Sequence, residues 1–123
     1  MCIRDSNAGV GTNTLIFLAG WTTPAAIDLD LETGFQVINA PPGFDNTLIG
    51  NNLANTWHVT GNNEGTLENT TYPSPNLFSF TNFPNIIGKS NTDDFISDGV
   101  YQISGTRGID GGGVGLFRHL SRL

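Results

Sequence analysis

Asn46-Thr47-Leu48-Ile49-Gly50-Asn51-Asn52-Leu53-Ala54-Asn55-Thr56-Trp57 is the stretch that decides the fold. It contains Asn-Thr followed by a large apolar residue twice, nine residues apart. A third copy is Asn13-Thr14-Leu15, and Asp93-Asp94-Phe95 is a related fourth. Each copy joins a turn-favouring polar residue to strand-favouring ones. A nine-residue step between such units is the mark of a chain winding through stacked turn-and-strand coils. The pattern predicts an all-β fold of short strands.

The flanking sequence predicts more strands of the same kind. Thr12 to Ala19 reads as a strand after the turn Asn7-Ala8-Gly9-Val10-Gly11. Ala26 to Glu32 alternates, with Ile27, Leu29 and Leu31 on one face and Asp28, Asp30 and Glu32 on the other. Phe35 to Ile38 is a short strand, and Ala40-Pro41-Pro42-Gly43 a turn. Thr47 to Ile49 and Thr56 to Thr60 are strands separated by Gly50-Asn51-Asn52. Trp57 and Val59 share a face there. Residues 61–65 read as a turn and 66–76 as a polar loop with two prolines. Phe78 and Phe80 share a strand face. Ile86-Ile87, Phe95-Ile96 and Val100 to Ile103 complete the set. No stretch predicts a helix.

Composition bounds the function classes. At 123 residues the chain is one ordinary domain at most. Its net charge of −6 leaves no basic face for nucleic acid. Charged residues make up only 13%, well under the usual share, and Gly, Asn and Thr fill the gap. Eight Phe and a 37% hydrophobic fraction argue against simple disorder. The lone cysteine, Cys2, admits no internal disulfide. The longest apolar run, Leu15 to Trp21, is too short to span a bilayer. Arg4 before that run imitates a signal peptide, but Asp5 and the lack of a small-x-small cleavage site argue against one.

Both ends differ in style from the body. Residues 1–6, Met1-Cys2-Ile3-Arg4-Asp5-Ser6, resemble a translated sequencing adaptor, a contaminant of assembled environmental reads. Residues 116–123 hold two of the five basic residues and His119, as a frameshifted or chimeric tail would. The expected body is residues 7–115, whose basic residues are Lys89 and Arg107. Ala8-Gly9-Val10-Gly11 echoes Gly112-Gly113-Val114-Gly115, which suggests a body close to one period of a long repeat.

The stretches Gly50 to His58 and Gly88 to Ile96 can be laid on the nonapeptide G-G-x-G-x-D-x-U-x. Both keep the first Gly, and Trp57 and Phe95 fill the large apolar eighth place. Asn55 and Asp93 occupy the sixth. Ala8 to Ile16 fits with Asn13 in that place. On these residues the chain resembles a degenerate RTX-type repeat of large bacterial surface and secreted proteins. The wider run from Asn46 to Gly61, then Phe83 to Gly88 and Ile103 to Gly112, is similar to repeats of filamentous-haemagglutinin-like adhesins. The resemblance implies a right-handed parallel β-solenoid, a secreted or bacterial cell-surface location and a role in attachment. It implies neighbouring repeats of the same parent chain as partners, with a cell-surface glycan or protein as the target class. A β-sandwich is the alternative fold, although tight two-residue hairpins are few in the sequence.

The candidate sites follow from the same pattern. Calcium nonapeptides carry Asp in the sixth place, where Asn13, Asn46 and Asn55 stand here. Asn supplies a carbonyl oxygen but no charge, so hydrogen-bonded Asn ladders are the expected replacement for metal. Calcium is the one cofactor the pattern admits, and its candidate ligands are Asp93, Asp94 and Asp110. No catalytic residue is assigned. Asp28, Asp30 and Glu32 have the roughly 7 Å strand spacing that overlaps glycosidase acid–base pairs. A β-helix carbohydrate-active enzyme is therefore an alternative. A solvated outer face is preferred, because no basic residue is seen nearby to bind an acidic sugar. His58 is expected to face outward, and the body has no second His for a metal or triad. Asn69-Thr70-Thr71 is a formal glycosylation sequon. The aromatics Trp21, Phe35, Phe44, Trp57, Phe78, Phe80, Phe83 and Phe95 read as core filling, with a sugar-stacking platform as the sharper option. The sequence thus reads as a structural, non-enzymatic repeat segment, with a calcium-binding module as its first alternative.

Overall fold

The computed structural model describes residues 3–6, 14–17, 22–31, 34–89, 91–97, 103, 105–106, 108–111 and 115–117. The protein is all-β, with no helix among the described residues. The described residues form twelve strands in order: β1 (Ile3–Ser6), β2 (Thr14–Phe17), β3 (Ala26–Asp28), β4 (Val37–Asn39), β5 (Thr47–Ile49), β6 (Asn55–Gly61), β7 (Glu64–Glu68), β8 (Phe78–Thr81), β9 (Asn85–Ile87), β10 (Asp93–Ser97), β11 (Ile109–Asp110) and β12 (Gly115–Phe117). Most are three to five residues long, because a Gly, Pro or Asn interrupts most of the apolar runs.

The strands form two sheets. The four-stranded sheet has the order β11-β9-β5-β3, and every pair in it is parallel. Ala26 pairs with Thr47, Thr47 with Asn85, and Ile86 with Ile109. The eight-stranded sheet has the order β1-β2-β4-β8-β7-β6-β10-β12. Its β2-β4-β8 and β6-β10-β12 segments are parallel, and β1 and β7 pair antiparallel to their neighbours. Backbone bonds continue the ladder through the turns: Gly50 N donates to Ile87 O at 2.8 Å and Gly88 N to Asp110 O at 2.7 Å. The two nonapeptide stretches therefore lie side by side in register. Asn55 faces Asp93, Trp57 faces Phe95 and His58 faces Ile96.

Pairing in register stacks like on like. Ile27, Leu48 and Ile86 form one buried column, with Ile109 packed at its end. Leu15, Ile38 and Phe80 form a second. Trp57 stacks on Phe95 with ring centroids 5.8 Å apart and meets Phe80 edge-on at 5.9 Å. Burying each of these side chains contributes about 1.5–3 kcal/mol. They offset the ordering cost of short strands that have little stability alone.

Several expectations shift. The predicted strand Ala26 to Glu32 stops at Asp28, where Leu31 N bonds back to Asp28 O and turns the chain. Ile27 and Leu29 are buried as expected, but Leu31 is 78% exposed. Phe35 is buried ahead of β4 rather than within a strand. The polar loop expected at 66–76 begins instead with the second half of β7, whose Leu67 is fully buried. A two-residue connection, Asn62-Asn63, joins β6 to β7, and Asn63 takes the left-handed conformation at φ 59°. Gly65 is required in β7, because a Cβ there would collide with the His58 carbonyl and press on Phe80. Most of Val100 to Ile103, the Gly-rich echo at 8–11 and 112–114, Asn13, Trp21, Glu32 and Arg107 lie outside the described residues. Residues on both sides of the expected body boundaries enter the sheet: Ile3–Ser6 pairs with β2, and Leu116 and Phe117 pair with Asp94 and Phe95.

Candidate functional site

The densest polar chemistry is buried beneath the Gly50 and Gly88 turns. Asn55 Nδ2 donates to Asp93 Oδ1 at 2.8 Å, and also to the carbonyls of Leu53 (2.9 Å) and Asn51 (3.1 Å). Trp57 Nε1 donates to the same Asp93 Oδ1 at 3.2 Å. Asn69, arriving from the end of β7, donates to Asn55 Oδ1 at 2.6 Å and to Asn51 Oδ1 at 3.2 Å. Asn69 Oδ1 in turn accepts from Thr71 N and Tyr72 N. Asn51, Asn55, Asn69 and Asp93 are all buried.

Asp93 is the one charged residue in this cluster, and it is 0% exposed. Its Oδ2 is buried without a hydrogen-bond partner. Gly88 leaves the space this carboxylate occupies, since a Cβ there would meet both the Asp93 carboxylate and the Gly111 carbonyl oxygen. Burial pushes the Asp93 carboxyl above its ordinary range, and the neighbouring Asp94 adds to that. The bonds from Asn55 and Trp57 act in the opposite sense.

A second set of asparagines holds the other turns. Asn46 Oδ1 accepts from Ala25 N, while its Nδ2 donates to Pro41 O and Asn82 O, each at 2.8 Å. Asn85 Nδ2 donates to Asp45 Oδ1 and Asn46 O, and its Oδ1 accepts from Gly108 N. Hydrogen bonds from Thr106 and Asn85 hold the Asp45 carboxyl below its ordinary range. These amides occupy turn backbone groups that would otherwise be buried unpaired.

The Asp28–Asp30 face carries a cation, contrary to the expectation of no basic residue nearby. Lys89 Nζ lies 2.7 Å from Asp28 Oδ1 and 2.6 Å from Asp30 Oδ2. The sequence hid this because Lys89 is about 60 residues away and reaches the pair only once β3, β5 and β9 pair side by side. Asp30 also accepts from Asn52 N, and Asn91 Nδ2 donates to Asn52 O at 2.6 Å. The Lys89 bond is the main influence holding the Asp30 carboxyl below its ordinary range. Burial would lower Lys89, but its bonds to Asp28 and Asp30 outweigh that and raise it. Lys89 itself has φ 87°, a conformation that favours glycine.

The three carboxylates named for calcium are not gathered. Asp93 points inward, Asp94 is on the opposite face of the same strand and partly exposed, and Asp110 is at the end of β11. Among the described residues no group of three or more His, Cys, Asp or Glu is placed to hold a metal. His58 faces outward on β6, with Nε2 3.9 Å from Glu68 Oε2. The Asn69 amide is buried and bonded. Of the aromatics, Phe35, Trp57, Phe78, Phe80, Phe83 and Phe95 are core residues. Asn51, Asn85 and Tyr72 were not singled out from sequence. Their signal, an Asn at a turn beside an apolar strand, is shared with many exposed asparagines. No helix among the described residues is long and apolar enough to cross a membrane.

Comparison with protein-family models, curated proteins and solved structures gave no match.

Proposed function

We propose that this chain is a structural repeat segment of a secreted or cell-surface, adhesin-like protein, folded as a right-handed parallel β-solenoid. The observation that carries this reading is the recurrence of parallel, in-register rungs. Adjacent partners are offset by 21 to 23 residues at Ala26–Thr47, Thr14–Val37 and Ile86–Ile109. The step grows to 38 at Thr47–Asn85 and Asn55–Asp93, where residues 62–77 add the β7 hairpin. Strand-to-strand crossovers of this kind are right-handed in nearly all proteins. In such a stack each coil buries its neighbour, and the element gains length rather than a cleft. The buried amides support a stack held by hydrogen bonds, and the parent array's outer face would meet its glycan or protein target.

A calcium titration of the whole chain tests the reading. The β signal and the melting midpoint are expected to be the same in millimolar calcium and in chelator. Conversion from a disordered to a β-rich chain on adding calcium would instead establish the calcium-binding module.

A further inference from the structure

We propose that the Asn55–Asp93 pair is a register key, which selects which rungs of the stack pair and in what alignment. The inference rests on the stacked-rung reading above. The aliphatic columns supply little of this information. Ile27, Leu48 and Ile86 are near-equivalent in shape, as are Leu15 and Ile38. A slip of two residues leaves every side chain on its own face, so the inward–outward pattern does not oppose it, and in the apolar core its main cost is the Trp57–Phe95 stack, since Trp57 would face Ser97. Sliding β10 by two against β6, so that Ile96 faces Thr56, would put Asn55 opposite Phe95 and Asp93 opposite Leu53. Both polar groups would then be buried away from each other. Skipping a rung fails as well: Gly115, the next member of the column, offers Asn55 no side chain.

The pair's surroundings allow no easy substitute. Asn55 Oδ1 is occupied by Asn69, and its Nδ2 is shared among Asp93 and two turn carbonyls. Trp57 Nε1 adds a second donor on Asp93 Oδ1, so the key couples the polar column to the aromatic one. Buried polar pairs of this kind are known to fix alignment at some cost in stability.

Cysteine trapping in a Cys2→Ser background tests the key, since Cys2 is the chain's only cysteine. His58→Cys with Ile96→Cys reports the native alignment, because facing residues on adjacent strands are about 4.8 Å apart, inside the disulfide range. Thr56→Cys with Ile96→Cys reports the slipped alignment and lies outside that range natively, at roughly 8 Å. With Asn55 and Asp93 intact, only the native pair should close; failure of that pair would sink the stacked-rung reading itself. With Asn55→Val and Asp93→Val, the slipped product should rise on the order of tenfold or more, the factor that goes with a buried hydrogen bond. Asp93→Asn alone keeps the acceptor that Asn55 and Trp57 use and leaves the Asn55 amide in place, so it should keep closure with the native pair alone. If the valine pair loses its β signal, Asn55→Leu is read in the same way. Slipped product that stays undetected without the key, or that is equal in the valine pair and in Asp93→Asn, overturns the proposal.

Discussion

Asp93 sets the pH behaviour of the core. Its carboxyl is raised in the folded state by burial, so the folded chain binds that proton more tightly than the unfolded chain. Stability from this group is therefore full below the ordinary carboxylate range and is lost as pH rises through the folded value. Asp30 and Asp45 act oppositely: both are lowered, so their contributions are present at neutral pH and fade as pH falls through their folded values. A melting series from neutral pH downward should first rise and then fall. Asp93→Asn keeps an acceptor for Asn55 and Trp57 and removes the buried carboxylate. It is expected to stabilise the neutral-pH chain by about 1–3 kcal/mol and to remove the rising limb. A destabilised variant with an unchanged pH profile would count against this account. Lys89 offers a second test. Lys89→Ala loses the bonds to Asp28 and Asp30, which are part-exposed and worth about 1 kcal/mol or less. Lys89→Gly loses them too but relieves the left-handed backbone, so it should be the more stable variant by roughly 1 kcal/mol. Denaturant midpoints compare the two directly.

At the scale of elements, strands announced by alternation or by an Asn-Thr-apolar signature were legible. Thr47–Ile49 lies where the sequence puts it, and β6, β8, β9 and β10 contain their predicted apolar pairs. What escaped were features decided by distant partners. β7 looks like a polar loop because Leu67 is its only large apolar residue; it is a strand because β6 and β8 flank it and supply both edges. Leu31 continues a good alternation, yet the turn closed by Asp28 O takes it out to solvent. The Lys89 clasp was invisible for the same reason, while the Asn55–Asp93 contact was foreshadowed by the aligned nonapeptides. If β7 is integral to the sheet, Leu67→Ala should cost about 2–5 kcal/mol in a denaturant melt. A loss under about 0.5 kcal/mol, the range of ordinary surface changes, would make β7 a loosely attached insert.

At the scale of the whole molecule, two sheets share a core built largely on parallel, in-register strand pairs. In the stacked-coil fold proposed above, stability is drawn from neighbouring coils, and terminal coils present unpaired strand edges. The isolated chain is therefore expected to melt over a broad range and to associate end to end as concentration rises. A sharp, concentration-independent monomer melt would oppose that. The central claim is parallel stacking, and cross-strand nuclear Overhauser contacts in an isotope-labelled sample test it most directly. The account predicts parallel-type contacts joining Ile27 to Leu48, Leu48 to Ile86 and Asn55 to Asp93, with antiparallel contacts between Trp57 and Leu67. Antiparallel contacts between β3 and β5, or none between β5 and β9, would contradict it and indicate a sandwich of sequential hairpins instead.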